Sequence, residues 1–145
     1  MKKALFVLMF TSLSVSSFAQ YKKVYAYGDY QENWALVKTA SGTYGFIDQN
    51  KKQIVTPIYS KIEKFGNVHP DFAVVKAITD TYGLIDKNEK EIVPTIYQKI
   101  GKFDELKKGF ALVETINNKF GFIDSSGKEA ISAIYSLDEI KAKLQ

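Results

Sequence analysis

Tyr44-Gly45-Phe46-Ile47-Asp48 returns as Tyr82-Gly83-Leu84-Ile85-Asp86 and again as Phe120-Gly121-Phe122-Ile123-Asp124, each time after 38 residues. A fixed period of this length marks a repeat architecture, in which no copy can bury its apolar face alone. In an extended chain Tyr44 and Phe46 point to one face while Gly45 and Ile47 point to the other. Both faces carry apolar residues, so the phrase reads as a strand buried on two sides. Glycine weakens a strand unless something approaches closely. The expected neighbour is an aromatic ring of the adjoining unit, such as Trp34 or Phe72.

Working outward, the repeat takes in most of the chain. Upstream, Trp34-Ala35-Leu36-Val37 matches Phe72-Ala73-Val74-Val75 and Phe110-Ala111-Leu112-Val113. Downstream, Ile54-Val55-Thr56-Pro57-Ile58-Tyr59 matches Ile92-Val93-Pro94-Thr95-Ile96-Tyr97 and Ala130-Ile131-Ser132-Ala133-Ile134-Tyr135. These segments are rich in β-branched and aromatic residues and are separated by turn residues, so each unit is expected to be an antiparallel β-meander of three strands. The turns after the Asp, such as Gln49-Asn50-Lys51 and Lys87-Asn88-Glu89, suit bulged hairpins with Asn or Gly in the left-handed region. Pro57 and Pro94 lack an N–H for the ladder and so mark a strand end or an edge. The connector Tyr59-Ser60-Lys61-Ile62-Glu63-Lys64-Phe65 repeats its apolar residues every third position, which fits a short helical turn or a bulged strand.

The units fall at residues 21–58, 59–96 and 97–134, and the remainder, 135–145, differs. Ser136 with Glu139 three residues on forms a capping box. Leu137, Ile140 and Leu144 share one helical stripe. A short amphipathic helix is expected there, covering the end of the last unit as terminal repeats require. The fold class is therefore all-β: three 38-residue meander repeats stacked as a short solenoid or an open propeller-like arc, with a helical cap. Three units are too few to close a propeller, and a strongly curved array would leave room for self-association.

Residues 1–19 read differently. Met1-Lys2-Lys3 is basic, Ala4 to Val15 is mostly apolar, and Ser17 and Ala19 give a small-x-small site. That pattern is a secretory signal peptide, with cleavage expected after Ala19. The apolar run is too short to span a membrane. An exported protein with a single domain at 20–145 follows, located in the periplasm or outside the cell. There is no Cys in the chain, so neither disulfides nor thiolate metal sites can hold it. Without Lys2 and Lys3 the 20 basic residues become 18 against 16 acidic ones, a net +2 that makes no case for nucleic acid. Every basic residue is Lys, which removes the planar fork best suited to phosphate.

An aromatic followed by Ala-x-Val, then aromatic-Gly-x-Ile-Asp, then Ile-Val-Pro-x-x-Tyr, resembles the WG repeat family of bacterial proteins. Where the family's consensus has Trp-Gly, this chain has Tyr44-Gly45, Tyr82-Gly83 and Phe120-Gly121. The resemblance runs from residue 21 to about 135. It implies a β-rich binding or scaffold array and brings no catalytic residues.

The residues themselves point the same way. The single His69 lies in a loop and has no counterpart in the other units, so no triad base repeats. Asp48, Asp86 and Asp124 repeat, but each stands with one Asn or Ser among lysines, which suits turn closure better than a calcium loop. The acid pairs Asp104-Glu105 and Asp138-Glu139 are adjacent in sequence and read as turn and cap residues. No phosphate loop is present. No enzyme, cofactor or metal is therefore expected. The positions that could carry function are those where the copies disagree: the 104–109 loop, the His69 loop, and above all Tyr25, Tyr27 and Tyr30, a candidate contact surface. The expectation is a non-enzymatic module that binds a protein partner. The alternative is a carbohydrate or cell-envelope glycan bound through exposed aromatics.

Overall fold

The structure, a computed structural model, describes residues 20–145; the expected leader, residues 1–19, lies outside the described residues. Eleven strands run in chain order: β1 (Lys23–Tyr27), β2 (Ala35–Lys38), β3 (Tyr44–Ile47), β4 (Gln53–Tyr59), β5 (Lys61–Ile62), β6 (Phe72–Lys76), β7 (Tyr82–Asp86), β8 (Glu91–Phe103), β9 (Phe110–Thr115), β10 (Phe120–Asp124) and β11 (Glu129–Tyr135). One helix, α1 (Leu137–Ala142), closes the chain. The strands form two open sheets, β1-β2-β3-β4 and β5 through β11 in sequence order, with every pairing antiparallel. The all-β repeat architecture read from the sequence is the one observed.

Each unit has four strands rather than three, because the connector is itself a strand. Lys61 and Ile62 pair with Lys76 and Val75. In the next copy the strand does not even break: β8 pairs with β7 through Tyr97, Val93 and Glu91, then with β9 from Tyr97 to Phe103. The register along β8 slips once between Tyr97 and Lys99 and again between Ile100 and Phe103. Each slip is a bulge that adds a residue to one strand. Two bulges let Tyr97, Ile100 and Phe103, three apart in sequence, all enter the same core cluster.

Glycine in the repeated phrase faces backbone, not a neighbouring ring. In all three units the strand after the phrase bulges opposite it: Tyr44 pairs with Tyr59 and Phe46 with Val55, so Thr56-Pro57-Ile58 stands against Gly45. A Cβ on Gly45, Gly83 or Gly121 would lie 2.4 Å from the carbonyl oxygen of Val55, Val93 or Ile131 respectively. The expected aromatic neighbour is thus corrected to the bulge of the glycine's own unit. Pro57 and Pro94 sit in these bulges, on stretches paired along one side only, where the missing N–H costs nothing.

The core is a set of layers between units. The front of the first unit (Trp34, Leu36, Phe46, Val55) joins the back of the second (Ala73, Val75, Ile85) in one cluster. The front of the second (Phe72, Val74, Leu84, Val93) joins the back of the third (Ala111, Val113, Ile123) in another. Large residues on one face meet small ones on the next, which lets the units approach closely. Phe46, Leu84 and Phe122 are all fully buried, and so are Ile47, Ile85 and Ile123 to within 1%. After the third unit α1 takes the place of a next sheet face. Its capping box is formed by Ser136 and Glu139, and Ile140 is fully buried where α1 meets β10 and β11.

Candidate functional site: one cleft repeated between units

Hydrogen bonds between a tyrosine and a side chain 32 residues on recur at equivalent positions. The Tyr59 hydroxyl donates to Glu91 Oε2 at 3.0 Å, and the Tyr97 hydroxyl donates to Glu129 Oε1 at 3.2 Å. Tyr21 reaches Gln53 Oε1 at 3.4 Å in the same relation. Burial first, then the facing carboxylate, pushes the Tyr97 hydroxyl up to about 12 and raises that of Tyr59 further still. These tyrosines are structural.

Beside this tie, each junction opens a cleft. The first, about 340 Å³, is lined by Tyr25, Tyr30, Leu36 and Tyr44 of one unit and by Ser60, Lys61 and Ile62 of the next. The second, about 520 Å³, is lined by the residues 38 positions on: Glu63, Val68, Val74 and Tyr82, with Gln98, Lys99 and Ile100 across from them. The third, about 350 Å³, has Gly101, Leu106, Leu112 and Phe120 at those positions and Leu137 of α1 opposite. One backbone frame therefore holds three different linings.

The first cleft is aromatic and cationic. Tyr25 is half-buried on β1 with Lys23 Nζ 4.3 Å from its ring centroid. Tyr30 packs edge-on against Phe46 at 5.0 Å, and its hydroxyl donates to the Ile62 carbonyl at 3.1 Å. Burial, followed by the nearby Asp29 charge, raises the Tyr30 hydroxyl above its ordinary value. A hydrogen bond with Lys38 lowers that of Tyr44. The second cleft is polar. Burial tends to raise the Glu63 carboxyl, but hydrogen bonds with Lys61 and Asn67 outweigh it and leave the group below its usual value. Glu114 and Asn118 add further polar groups to the rim. The third cleft is mostly apolar, with Leu106 48% and Leu137 37% exposed, and Lys99, Glu105 and Glu114 complete its lining.

Of the three tyrosines singled out from the sequence, the fold brings Tyr25 and Tyr30 into one cleft and places Tyr27 elsewhere. Tyr27 is 40% exposed and donates to the Asp48 carbonyl at 3.0 Å. Tyr44 was the residue the sequence reading missed. It recurs as Tyr82 and Phe120 in a phrase that reads as a strand buried on two sides, yet all three line the clefts half-exposed.

The other residues weighed for chemistry hold the frame. His69 stacks on Phe72 at 4.3 Å and meets Phe103 edge-on at 5.1 Å, while its Nδ1 accepts the Asp71 N–H. Asp48, Asp86 and Asp124 accept the amides of Lys52, Lys90 and Lys128 and so close their turns. Among the described residues no group of three His, Asp or Glu side chains converges as a metal site.

An open stack of four-stranded meanders, with its variation gathered in the clefts between them, defines a β-repeat array. The family model for the WG containing repeat matches residues 44–76, 82–120 and 120–137, and the chain belongs to that family. A search of curated proteins returned no match.

Proposed function

We propose that this repeat protein is an exported, non-enzymatic module that binds a protein partner through its row of clefts, without cofactor or metal. The observation that carries the reading is the constant frame with three unlike linings: tyrosine with lysine, then mixed charge, then a mostly apolar wall edged by Lys99, Glu105 and Glu114. A protein surface presents that mixture of chemistries. Tyrosine is also suited to such contacts, because it offers a large rigid face and a hydroxyl at little entropic cost.

The test is a pull-down with the purified protein. Stoichiometric capture of a protein that is lost when Tyr25 and Leu106 are changed to Ser supports the reading. Recovery of polysaccharide with no stoichiometric protein overturns it. Export is tested separately, by N-terminal sequencing of the protein recovered outside the cytoplasm, where a start at Gln20 is expected.

One observation favours a second reading. The middle cleft is lined by Glu63, Gln98, Glu114 and Asn118 together with Tyr82, and polar groups beside an aromatic side chain are the combination that holds a sugar. Binding of a cell-envelope glycan would use that cleft, and a blank glycan array would count against it.

A further inference from the structure

Five isoleucines lie along one edge of the array with more than half of their surface exposed. Ile58, Ile96 and Ile134 hold the same position in the three units, each before the tyrosine that pairs back with the repeated phrase. They are 54%, 55% and 64% exposed. Ile78 and Ile116 stand in the turns that join β6 to β7 and β9 to β10, 74% and 64% exposed.

Hydrogen bonds and strand pairs set the five in one order along that edge. Ser60, two residues after Ile58, donates to the Ala77 carbonyl beside Ile78. Thr81 donates to the Thr95 carbonyl beside Ile96. Tyr97 pairs with Thr115 beside Ile116, and Phe120 pairs with Tyr135 beside Ile134. Single exposed apolar residues are ordinary, but these are five of the eight large ones left exposed among the described residues, gathered on one edge. The turns at the opposite ends of the strands, 48–53, 86–91 and 124–129, are polar throughout apart from Gly127.

The row reads the same from both ends. Isoleucines at strand ends (58, 96, 134) alternate with isoleucines in turns (78, 116), and Ile96 stands at the centre. The first turn, where a further isoleucine would break that symmetry, has Ala40. Such a pattern is self-complementary under a twofold rotation, as a contact between two copies of one surface requires. We propose that this edge joins two copies of the chain as an antiparallel, twofold dimer. The axis passes through Ile96, so Ile78 lies against the second copy's Ile116 and Ile58 against its Ile134.

Charge and area agree with a second copy as the occupant. Asp80, its side chain 81% exposed, follows Ile78 by two residues, and the exposed Lys119 follows Ile116 by three. Each contact between those isoleucines therefore brings unlike charges together. Acids stand beside lysines elsewhere on the edge, Glu63 with Lys61 and Asp80 with Lys76, which suits a protein surface of both signs better than an anionic membrane. The five side chains offer on the order of 500 Å² of apolar surface per copy. A stable interface buries about 800 Å² per partner, and the serines and threonines of the same edge supply the rest.

The chain has no Cys, so introduced ones report the pairing alone. Ile96→Cys, on the axis, should oxidise to a disulfide-linked dimer. Ile78→Cys by itself should not crosslink, whereas its equimolar mixture with Ile116→Cys should. In sedimentation equilibrium across a micromolar series, the wild type should reach twice the protomer mass. Ile96→Asp sets two carboxylates against each other and should weaken the dimer about 100-fold, with an unchanged circular dichroism spectrum. Lys119→Asp should weaken it less, and adding Asp80→Lys should restore it, which keeps the test open if Ile96→Asp fails to fold. A wild type that stays monomeric, a dimer indifferent to Ile96→Asp, or crosslinking by Ile78→Cys alone would each overturn the inference. So would a monomeric protein that sediments with phosphatidylglycerol vesicles unless it carries Ile96→Asp, which reassigns the edge to a lipid surface. None of the five isoleucines lines a cleft, so capture of a partner protein there stands or falls separately.

Discussion

Gly83 and Val68 lie in the same unit, but one position is identical in all three copies and the other differs in each. The difference lies in what each touches. The site of a Cβ on Gly83 is occupied by backbone, the Val93 carbonyl oxygen at 2.4 Å and the Pro94 carbonyl carbon at 2.8 Å. Backbone in a paired strand cannot move aside. Val68 lines open space, and its counterparts Tyr30 and Leu106 fill that space to different degrees. Positions that meet backbone fix the frame, and positions that meet a cleft are free to carry specificity.

The sharpest way to break this comparison is to put a side chain on the fixed position. Gly83→Val is expected to destabilise by about 3 kcal/mol, because the contact it forces is with backbone and the bulge would have to open. Urea denaturation measures the loss. A melting temperature equal to wild type would mean that the bulge yields freely, and the distinction between frame and lining would then fail.

The next largest effect concerns the end of the array. At the interior junctions a buried front face meets the next unit, whereas β10, which carries Phe122, meets α1 instead. Ile140→Ala should cost about 2–4 kcal/mol through lost burial and the cavity left behind. It should also raise the binding of an apolar dye. If stability were unchanged, α1 would not be acting as the cap.

Much of this frame was legible in the sequence, and the reasons are local or periodic. A constant 38-residue spacing exposes the units, alternation within the phrase exposes the two buried faces, and Ser136 with Glu139 announces the helix. The bulges were not legible. Tyr59, Ile62 and Phe65 have neither a strand's period nor a helix's, because inserted residues reset the alternation, and only the paired partner shows where they fall. The glycine's true neighbour was hidden for the same reason. The clefts join residues from different units, such as Tyr25, Tyr44 and Lys61, and no short window contains them. Tyr44 is hidden by its place in a strand with apolar residues on both faces, although a cleft that recurs also needs a recurring wall.

A smaller effect separates the tyrosine ties from the cleft tyrosines. The Tyr97 hydroxyl is held at about 12 in the folded chain against an ordinary 10.0. A raised folded value means that the stabilisation is complete below about pH 10 and is lost as pH rises toward 12, since the unfolded chain ionises first. Tyr97→Phe should therefore lose less stability across that window than the wild type, whereas Tyr44→Phe should show no such relief, because its hydroxyl is lowered rather than raised. Denaturation midpoints on either side of the window decide it. Parallel decline of Tyr97→Phe and wild type would mean that the tie to Glu129 does not form.

The smallest effect tests whether the frame is equally demanding at every copy. The turn after the phrase places Lys51, Glu89 and Gly127 in the left-handed region, with φ of 64°, 68° and 81°. The sequence reading expected Asn or Gly there; the residues after Asn50 and Asn88 take the conformation instead. A non-glycine residue pays for this, and glycine does not. Glu89→Gly, which copies the third unit, should stabilise by about 0.5 kcal/mol, the relief of strain being partly offset by a freer unfolded chain. The reverse change is not its mirror image. A Cβ on Gly127 would lie 2.2 Å from the Ile92 carbonyl oxygen of the preceding unit, so Gly127→Glu combines backbone strain with a collision between units. A small gain at 89 together with a clear loss at 127 would show that the third turn is held by its neighbour as well as by its own geometry. Equal and opposite changes would reduce it to local turn preference.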